Sequence, residues 1–253
     1  MTLCACSNKK ILVINGVEDY LQIVLGQGED LIWSWQVKTC QQGMLFLAPH
    51  LKYLFSTLSI TPEELEGIVL VRGPGSFTGL RLVFAHVYGL ALSHNIPVGA
   101  LEYLPLLAKS VPFNKPIWVL TYSRQNEVYM QGFGASKMPL TSPEVLSVQM
   151  AFARLDSLKK QDFYLIGSAL RKIKDDKLKA FQVLDDLYDK PLPEILLKEA
   201  QIIQLDTKFP QPLYLRNSNA EDNLPYIVKQ KGLSLDQAKK KIKSGLKIRT
   251  QFN

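Results

Sequence analysis

The residues with the most chemical potential form one short stretch. Gly73-Pro74-Gly75-Ser76-Phe77-Thr78-Gly79 follows the apolar run Ile68-Val69-Leu70-Val71 and leads into a largely apolar segment, Leu80 to Ser93. Glycines at 73, 75 and 79 permit positive φ and close backbone approach. Pro74 stiffens the turn, and Thr78 is placed to cap the following helix. Uncapped N–H groups at a helix start attract anions, so the loop is a candidate anion site. It is neither a Walker loop, since no Gly-Lys-Ser/Thr follows, nor a dinucleotide fingerprint. The same residues also suit a tight strand-to-helix turn that packs against a neighbour. Spacing alone leaves both readings open.

Other reactive residues do not assemble into a centre. Ser76 has no plausible base nearby in sequence, and no Ser/His/Asp or Cys/His arrangement emerges. The histidines are His50, His86 and His94. The last two lie eight residues apart on one expected helix, about 12 Å along its axis, too far for one metal ion. Cys4, Cys6 and Cys40 make an odd, low count, which argues against a disulfide framework and fits a reducing, cytoplasmic setting. The expectation is therefore no catalytic residue and no metal.

The charge is segregated. The chain has 253 residues, 30 Lys+Arg and 23 Asp+Glu, for a formal net charge of +7. Residues 1–228 are neutral overall, and residues 229–253 hold the whole excess, with one acid, Asp236, against eight basic side chains. This excludes a uniformly basic nucleic-acid coat protein. Hydrophobic residues at 47% and charged residues at 21% suit a globular body. No apolar run approaches the ~20 residues of a spanning helix, and Met1 to Lys10 is too polar for a signal peptide.

Strand and helix patterns must position the loop. Ile11–Ile14, Tyr20–Leu25 and Leu31–Val37 read as three hairpin-linked strands. Residues 41–58 switch to helical spacing, with Pro49 expected to kink or divide the helix. Thr61-Pro62-Glu63-Glu64 starts a single turn. After the loop and its helix come a strand at 96–101 and a helix to about Lys109. Beyond Pro112 and Pro116, residues 117–122 and 127–133 form a strand pair. Ser142-Pro143-Glu144 predicts a helix start running to about Leu158. Residues 163–167 predict a strand, followed by a lysine-rich helix, a helix over 193–204 and a loose extension. The pattern predicts an α/β protein of mixed sheets covered by helices. Its parts would be residues 1–112, 113–216 and an extension at 217–253.

The stretch Arg72 to Arg81 resembles the signature of the TsaB (YeaZ) family, and few other families carry it. Arg124 with Glu127-Val128-Tyr129, Leu165-Ile166-Gly167 and Pro212-Leu213-Tyr214-Leu215-Arg216 resemble later landmarks. The resemblance covers about residues 10–216. It implies an actin-like (sugar kinase/Hsp70-type) fold with a reduced second half. It also implies a non-catalytic role in synthesis of the threonylcarbamoyl modification on tRNA adenosine 37. The implied partners are the catalytic paralogue TsaD, the ATPase TsaE and, through their complex, tRNA. A second copy of the chain is an alternative partner. No cofactor of its own is implied, and ATP or ADP only at the shared interface. Gly73, Pro74, Gly75, Ser76, Phe77, Thr78, Gly79 and Arg81 would form an interface or nucleotide-proximal loop. Leu47, Leu51, Leu54, Val83, Ala85, Val87 and Leu90 would lie on two docking helices.

The chain departs from that pattern at two informative places. The usual Ile-Asp-Thr-Ser at the first strand end is Ile14-Asn15-Gly16-Val17. An amide holds Mg²⁺ far less well than a carboxylate, which argues against the rival reading as a small-molecule kinase or ATPase. The usual acid before Arg124 is replaced by Tyr122. Outside the resemblance, Ser234-Leu235-Asp236-Gln237 reads as a capping box opening a short basic helix. Its Lys239, Lys240 and Lys243 are candidate RNA contacts. The sequence predicts no aromatic-interleaved basic patch elsewhere.

Overall fold

The computed structural model describes residues 10–39 and 44–216. Within them the chain builds two five-stranded mixed sheets. The first contains β1 (Lys10–Asn15), β2 (Tyr20–Gln27), β3 (Asp30–Lys38), β4 (Leu65–Val71) and β5 (Val98–Leu101), in the order β3-β2-β1-β4-β5. The continuous apolar runs of β1 and β4 occupy the centre, because strands covered on both faces have no polar side. Leu12, Val13, Ile14, Val69, Leu70 and Val71 are fully buried. β3 alternates exposed and half-buried positions, as an edge strand does.

The second sheet contains β6 (Ile117–Arg124), β7 (Glu127–Phe133), β8 (Glu144–Ser147), β9 (Tyr164–Ile166) and β10 (Gln182–Val183), in the order β10-β9-β6-β7-β8. Its wiring repeats the first. In each sheet the opening strand pairs antiparallel with the second and parallel with the fourth, the third pairs with the second, and the fifth with the fourth. This is the duplicated α/β scheme of the actin-like fold, and the second copy is reduced, with three of its five strands four residues or shorter.

Helices close the layers. Leu25 and Gly26 are adjacent on β2, so they face opposite sides of the sheet. Leu25 pairs with Trp33, whose ring meets Tyr53 of α1 (Met44–Leu58) edge-on at 5.7 Å. α2 (Phe77–His94) packs beside α1. On the other side, a Cβ on Gly26 would come within 2.2 Å of Leu197 in α6 (Pro193–Gln201), so glycine lets that helix settle on the sheet. One continuous apolar core joins this sheet through α3 (Tyr103–Lys109) to Ile117, Val119, Tyr129, Phe133 and Ile166 of the second sheet. A smaller core under α4 (Val148–Ser157) gathers Trp118, Leu120, Met130, Phe152 and Leu155.

Two local readings change and one is narrowed. Pro49 lies inside α1 without dividing it. The carbonyl it leaves without a helical donor belongs to Leu45, whose residue is exposed, so water can satisfy it. Ser142-Pro143-Glu144 does not start a helix. The chain first adds β8, and Ser147 then caps α4 by accepting from Met150 N at 3.2 Å. The lysine-rich segment after Gly167 holds only the four-residue α5 (Ala169–Lys172) and a 3₁₀ turn at Asp176–Ala180.

Gly167 is the position where the backbone most needs a glycine. Its φ is +117°, and a Cβ would lie 2.3 Å from Leu120 O, a backbone atom that cannot swing aside. Gly167→Ala should lower stability by about 2 kcal/mol or more, read as a shift in the urea midpoint. Gly89→Ala, where a Cβ on α2 meets nothing within 4 Å, should leave stability unchanged or raise it by up to ~1 kcal/mol.

Candidate functional site

The glycine-rich loop leaves β4 at Val71 and enters α2 at Phe77. Ser76, not Thr78, is the capping residue. Its backbone is extended, it precedes the first helical residue, and its Oγ accepts from Gly79 N at 3.3 Å, whereas Thr78 already lies within the first turn. Gly73 adopts φ +107°, and its carbonyl accepts from Tyr103 N at 2.8 Å.

The rest of the loop is pressed against the turn between β1 and β2. Ser76 N donates to Val17 O at 2.9 Å. A Cβ on Gly75 would lie 2.3 Å from Val17 Cγ1 and 2.5 Å from Val17 O, and one on Gly79 would lie 2.7 Å from Gly16 O. Two of the three glycines are therefore required by close backbone approach. Val17 is fully buried, so an apolar side chain fills the place beside Gly75. This geometry favours the tight-turn reading of the loop over the anion cradle.

The landmark near residue 214 returns to the same loop. Leu213 N donates to Arg72 O at 2.7 Å, and the Arg72 guanidinium pairs with Glu102. Tyr214 stacks on Phe77 with ring centroids 4.4 Å apart. Arg81 Nε donates to Tyr214 Oη at 3.3 Å, and its guanidinium lies 5.7 Å from the Phe77 ring centre. Two motifs separated by more than a hundred residues form one stacked unit.

Asn15, at the end of β1, is buried and committed to structure. Its Nδ2 donates to Gln22 Oε1 at 2.8 Å, and its Oδ1 accepts from Val17 N at 3.2 Å, closing an Asx turn. Gln22 Nε2 donates in turn to Pro191 O at 2.9 Å. Val17 is thus held from both sides.

Beyond the turn lies a polar seam between the two sheets. Glu18 accepts from Ser168 Oγ at 2.6 Å and from Tyr103 Oη at 3.0 Å. Ser168 Oγ also accepts from Tyr122 N at 3.0 Å. Asp189 accepts from Gly167 N at 3.0 Å and from Arg171 Nε at 2.8 Å. Loss of water around Glu18 raises its carboxyl to about 7, against the lowering effect of its two hydroxyl donors. Burial, followed by the neighbouring Glu18 charge, pushes the Tyr103 phenol well above its usual value. The seam has no signature in the sequence. Glu18 and Ser168 are 150 positions apart, and a single acid after a strand carries no sign of its partner.

The expected docking residues divide by burial. Leu47, Leu51, Leu54, Val83 and Val87 are buried in the chain's own core. They are the inward stripe of each helix, so a partner cannot reach them in the folded chain. Ala85 is exposed and Leu90 half-buried. The outward apolar positions are Leu45 and Tyr53 on α1 and Leu92 on α2. His50 stacks on Trp35 at 3.7 Å, His86 Nδ1 contacts Leu82 O at 3.0 Å and His94 pairs with Glu63 at 2.5 Å. No group of three metal-ligating side chains occurs among the described residues. Lys239, Lys240 and Lys243, like Cys4, Cys6 and Cys40, lie outside the described residues.

The seam makes stability depend on pH with a definite sign. Glu18 keeps its proton to about pH 7 in the folded chain, whereas its ordinary value is 4.5. Across that window the unfolded chain releases a proton that the folded chain retains, so stability falls as pH rises and stays lower above it. Glu18→Gln should flatten this decline by up to ~2 kcal/mol, seen in urea midpoints measured from pH 4.5 to 8.

The family described as TsaD, tRNA N6-adenosine threonylcarbamoyltransferase, matches residues 45–175, just over half of the chain. The tRNA threonylcarbamoyladenosine biosynthesis protein TsaB of Buchnera aphidicola subsp. Schizaphis graminum is 24% identical over 185 residues, covering 70% of this chain and 87% of that protein. TsaB of Bacillus subtilis is 33% identical over 120 residues, covering 47% and 52% of the two chains. The solved structure of YeaZ from Pseudomonas aeruginosa superposes with a TM-score of 0.66 at 19% identity, over 82% of this chain and all of that one, a likeness of fold. The chain belongs to the TsaB/YeaZ family of tRNA threonylcarbamoyladenosine biosynthesis.

Proposed function

We propose that the chain acts in threonylcarbamoyladenosine synthesis as a scaffold and activator, docking on a TsaD-like catalytic paralogue and helping to recruit a TsaE-like ATPase. The role in this biosynthesis follows from the family. The scaffold reading is carried by one observation. The turn after β1 is filled by Val17 and locked onto Gly75 and Gly79. Its Asn15 holds the turn through Gln22 and Val17 N. A site built to turn over ATP would need a carboxylate and room for phosphate there. ATP or ADP then belongs to the interface shared with the paralogue, and tRNA reaches this subunit through the complex. Among the described residues no helix is long and apolar enough to cross a membrane.

The outer face of α1 and α2 supports a docking role. Ala85, Gly89 and Leu92 recur at i, i+4 and i+7 on one face of α2, and Leu45 and Tyr53 are exposed on α1. Such a face suits a helical interface with a paralogue of the same fold or, in isolation, with a second copy of the chain.

Ala85→Glu together with Leu92→Glu should abolish co-purification with the TsaD-like paralogue while leaving thermal stability nearly unchanged. Leu47→Ala, which empties a fully buried position, should instead cost about 2–5 kcal/mol of stability. A paralogue that still co-purifies with the double glutamate variant would refute this interface. Steady ATP hydrolysis by the purified chain alone would refute the scaffold role.

A further inference from the structure

Five residues dispersed through the sequence converge on the rim between the two sheets. Tyr20 opens β2 and pairs directly across the ladder with Lys38, whose Nζ lies 6.0 Å from the tyrosine ring centre. Lys190 reaches the same ring at 4.7 Å. Tyr122, near the end of β6, has Lys172 at 3.9 Å from its ring centre. Lys172 also lies 3.7 Å from Asp19, the neighbour of Tyr20 in the chain. The two tyrosine clusters are thereby joined, and Tyr122 remains 37% exposed. Lys172 faces Asp19 and its neighbour Glu18, while Asp189 beside Lys190 is already bound by Arg171 and Gly167 N.

We infer that this rim is a contact surface for unpaired RNA, with bases stacking on Tyr20 and Tyr122 and phosphates pairing with Lys38, Lys172 and Lys190. Aromatic rings that bases can reach, set among cations, suit single-stranded nucleic acid, and here Tyr122 is exposed and Tyr20 half-buried. Each base offers a π-face, and each phosphate a negative charge at neighbouring spacing. In the free protein the lysines lie over the rings as cation–π partners. Their side chains are long, and that of Lys172 is 46% exposed, so they can move aside to phosphates as a base takes the ring. The inference rests on the reading that the protein works in tRNA modification. It concerns the sheet rim and none of the α1 or α2 residues, so the two fail separately.

The test uses the full chain and a fluorescently labelled RNA of about 12 unpaired nucleotides, with a duplex of equal length as the comparison, each titrated by anisotropy over a salt series. Tyr20→Ala with Tyr122→Ala should weaken single-strand binding about tenfold or more and leave duplex binding within about twofold. Tyr20→Phe with Tyr122→Phe should retain single-strand binding. Replacing Lys38, Lys172 and Lys190 by Ala should reduce the log–log salt slope by about 2. Wild-type binding that does not distinguish single strand from duplex would overturn the inference. So would tyrosine-to-alanine variants that bind as wild type, or phenylalanine variants as weak as the alanine ones. Co-purification with the paralogue, assayed in parallel on the same variants, should be unchanged.

Discussion

The close contact between the glycine-rich loop and the turn after β1 sets the rest of the architecture. Two backbones approach so nearly that a single Cβ at Gly75 or Gly79 would collide with Val17 or Gly16. Ser76 N donates across the gap to Val17 O. This fixes the start of α2 against the end of β1. It also aims the next residue, Glu18, at Ser168 and Tyr103, which ties the first sheet to the second. Tyr214 stacked on Phe77 brings the end of the described chain back to the same point. One steric constraint therefore positions a helix, a polar seam and a returning strand of chain.

The two sheets repeat one wiring with unequal investment. The first has long central strands buried on both faces, while the second ends in strands of three and two residues. Hydroxyls and a proton-retaining carboxyl bridge the seam between them. A seam stapled in this way is suited to holding a fixed shape. Opening and closing on a ligand would require breaking bonds to a poorly solvated acid.

Much of this was legible in the sequence, and the illegible part has a common cause. The hairpins at the start, the strands at 68–71 and 117–133 and the helix after the loop all show their period within a short window. The loop was legible as glycines allowing a close approach, but not which segment approaches, because its neighbour at residues 16–17 is distant in sequence. Thr78 looked like the cap, yet the backbone turns helical one residue after Ser76. The docking stripe was misassigned because an apolar helix shows its period in sequence but not which side faces its own sheet. Leu47 and Val83 turned inward, and Leu45 and Leu92 outward. The seam and the rim of lysines and tyrosines were invisible for the same reason. Their members lie on five or more elements, and no local pattern links Tyr20 to Lys190 or Glu18 to Ser168. The two-part organisation was implied by the resemblance, although the repeat itself survives in strand order and not in repeated residues.

In the role we propose, this subunit contributes shape to a reaction performed by its partners. The most direct test measures threonylcarbamoyladenosine formed on tRNA by the TsaD-like and TsaE-like subunits, with this chain present, absent or replaced by Val17→Asp. The substitution would place an uncompensated charge in the locked turn. The account predicts product with the wild-type chain, and little without it or with the variant. Full product formation in the chain's absence would contradict it.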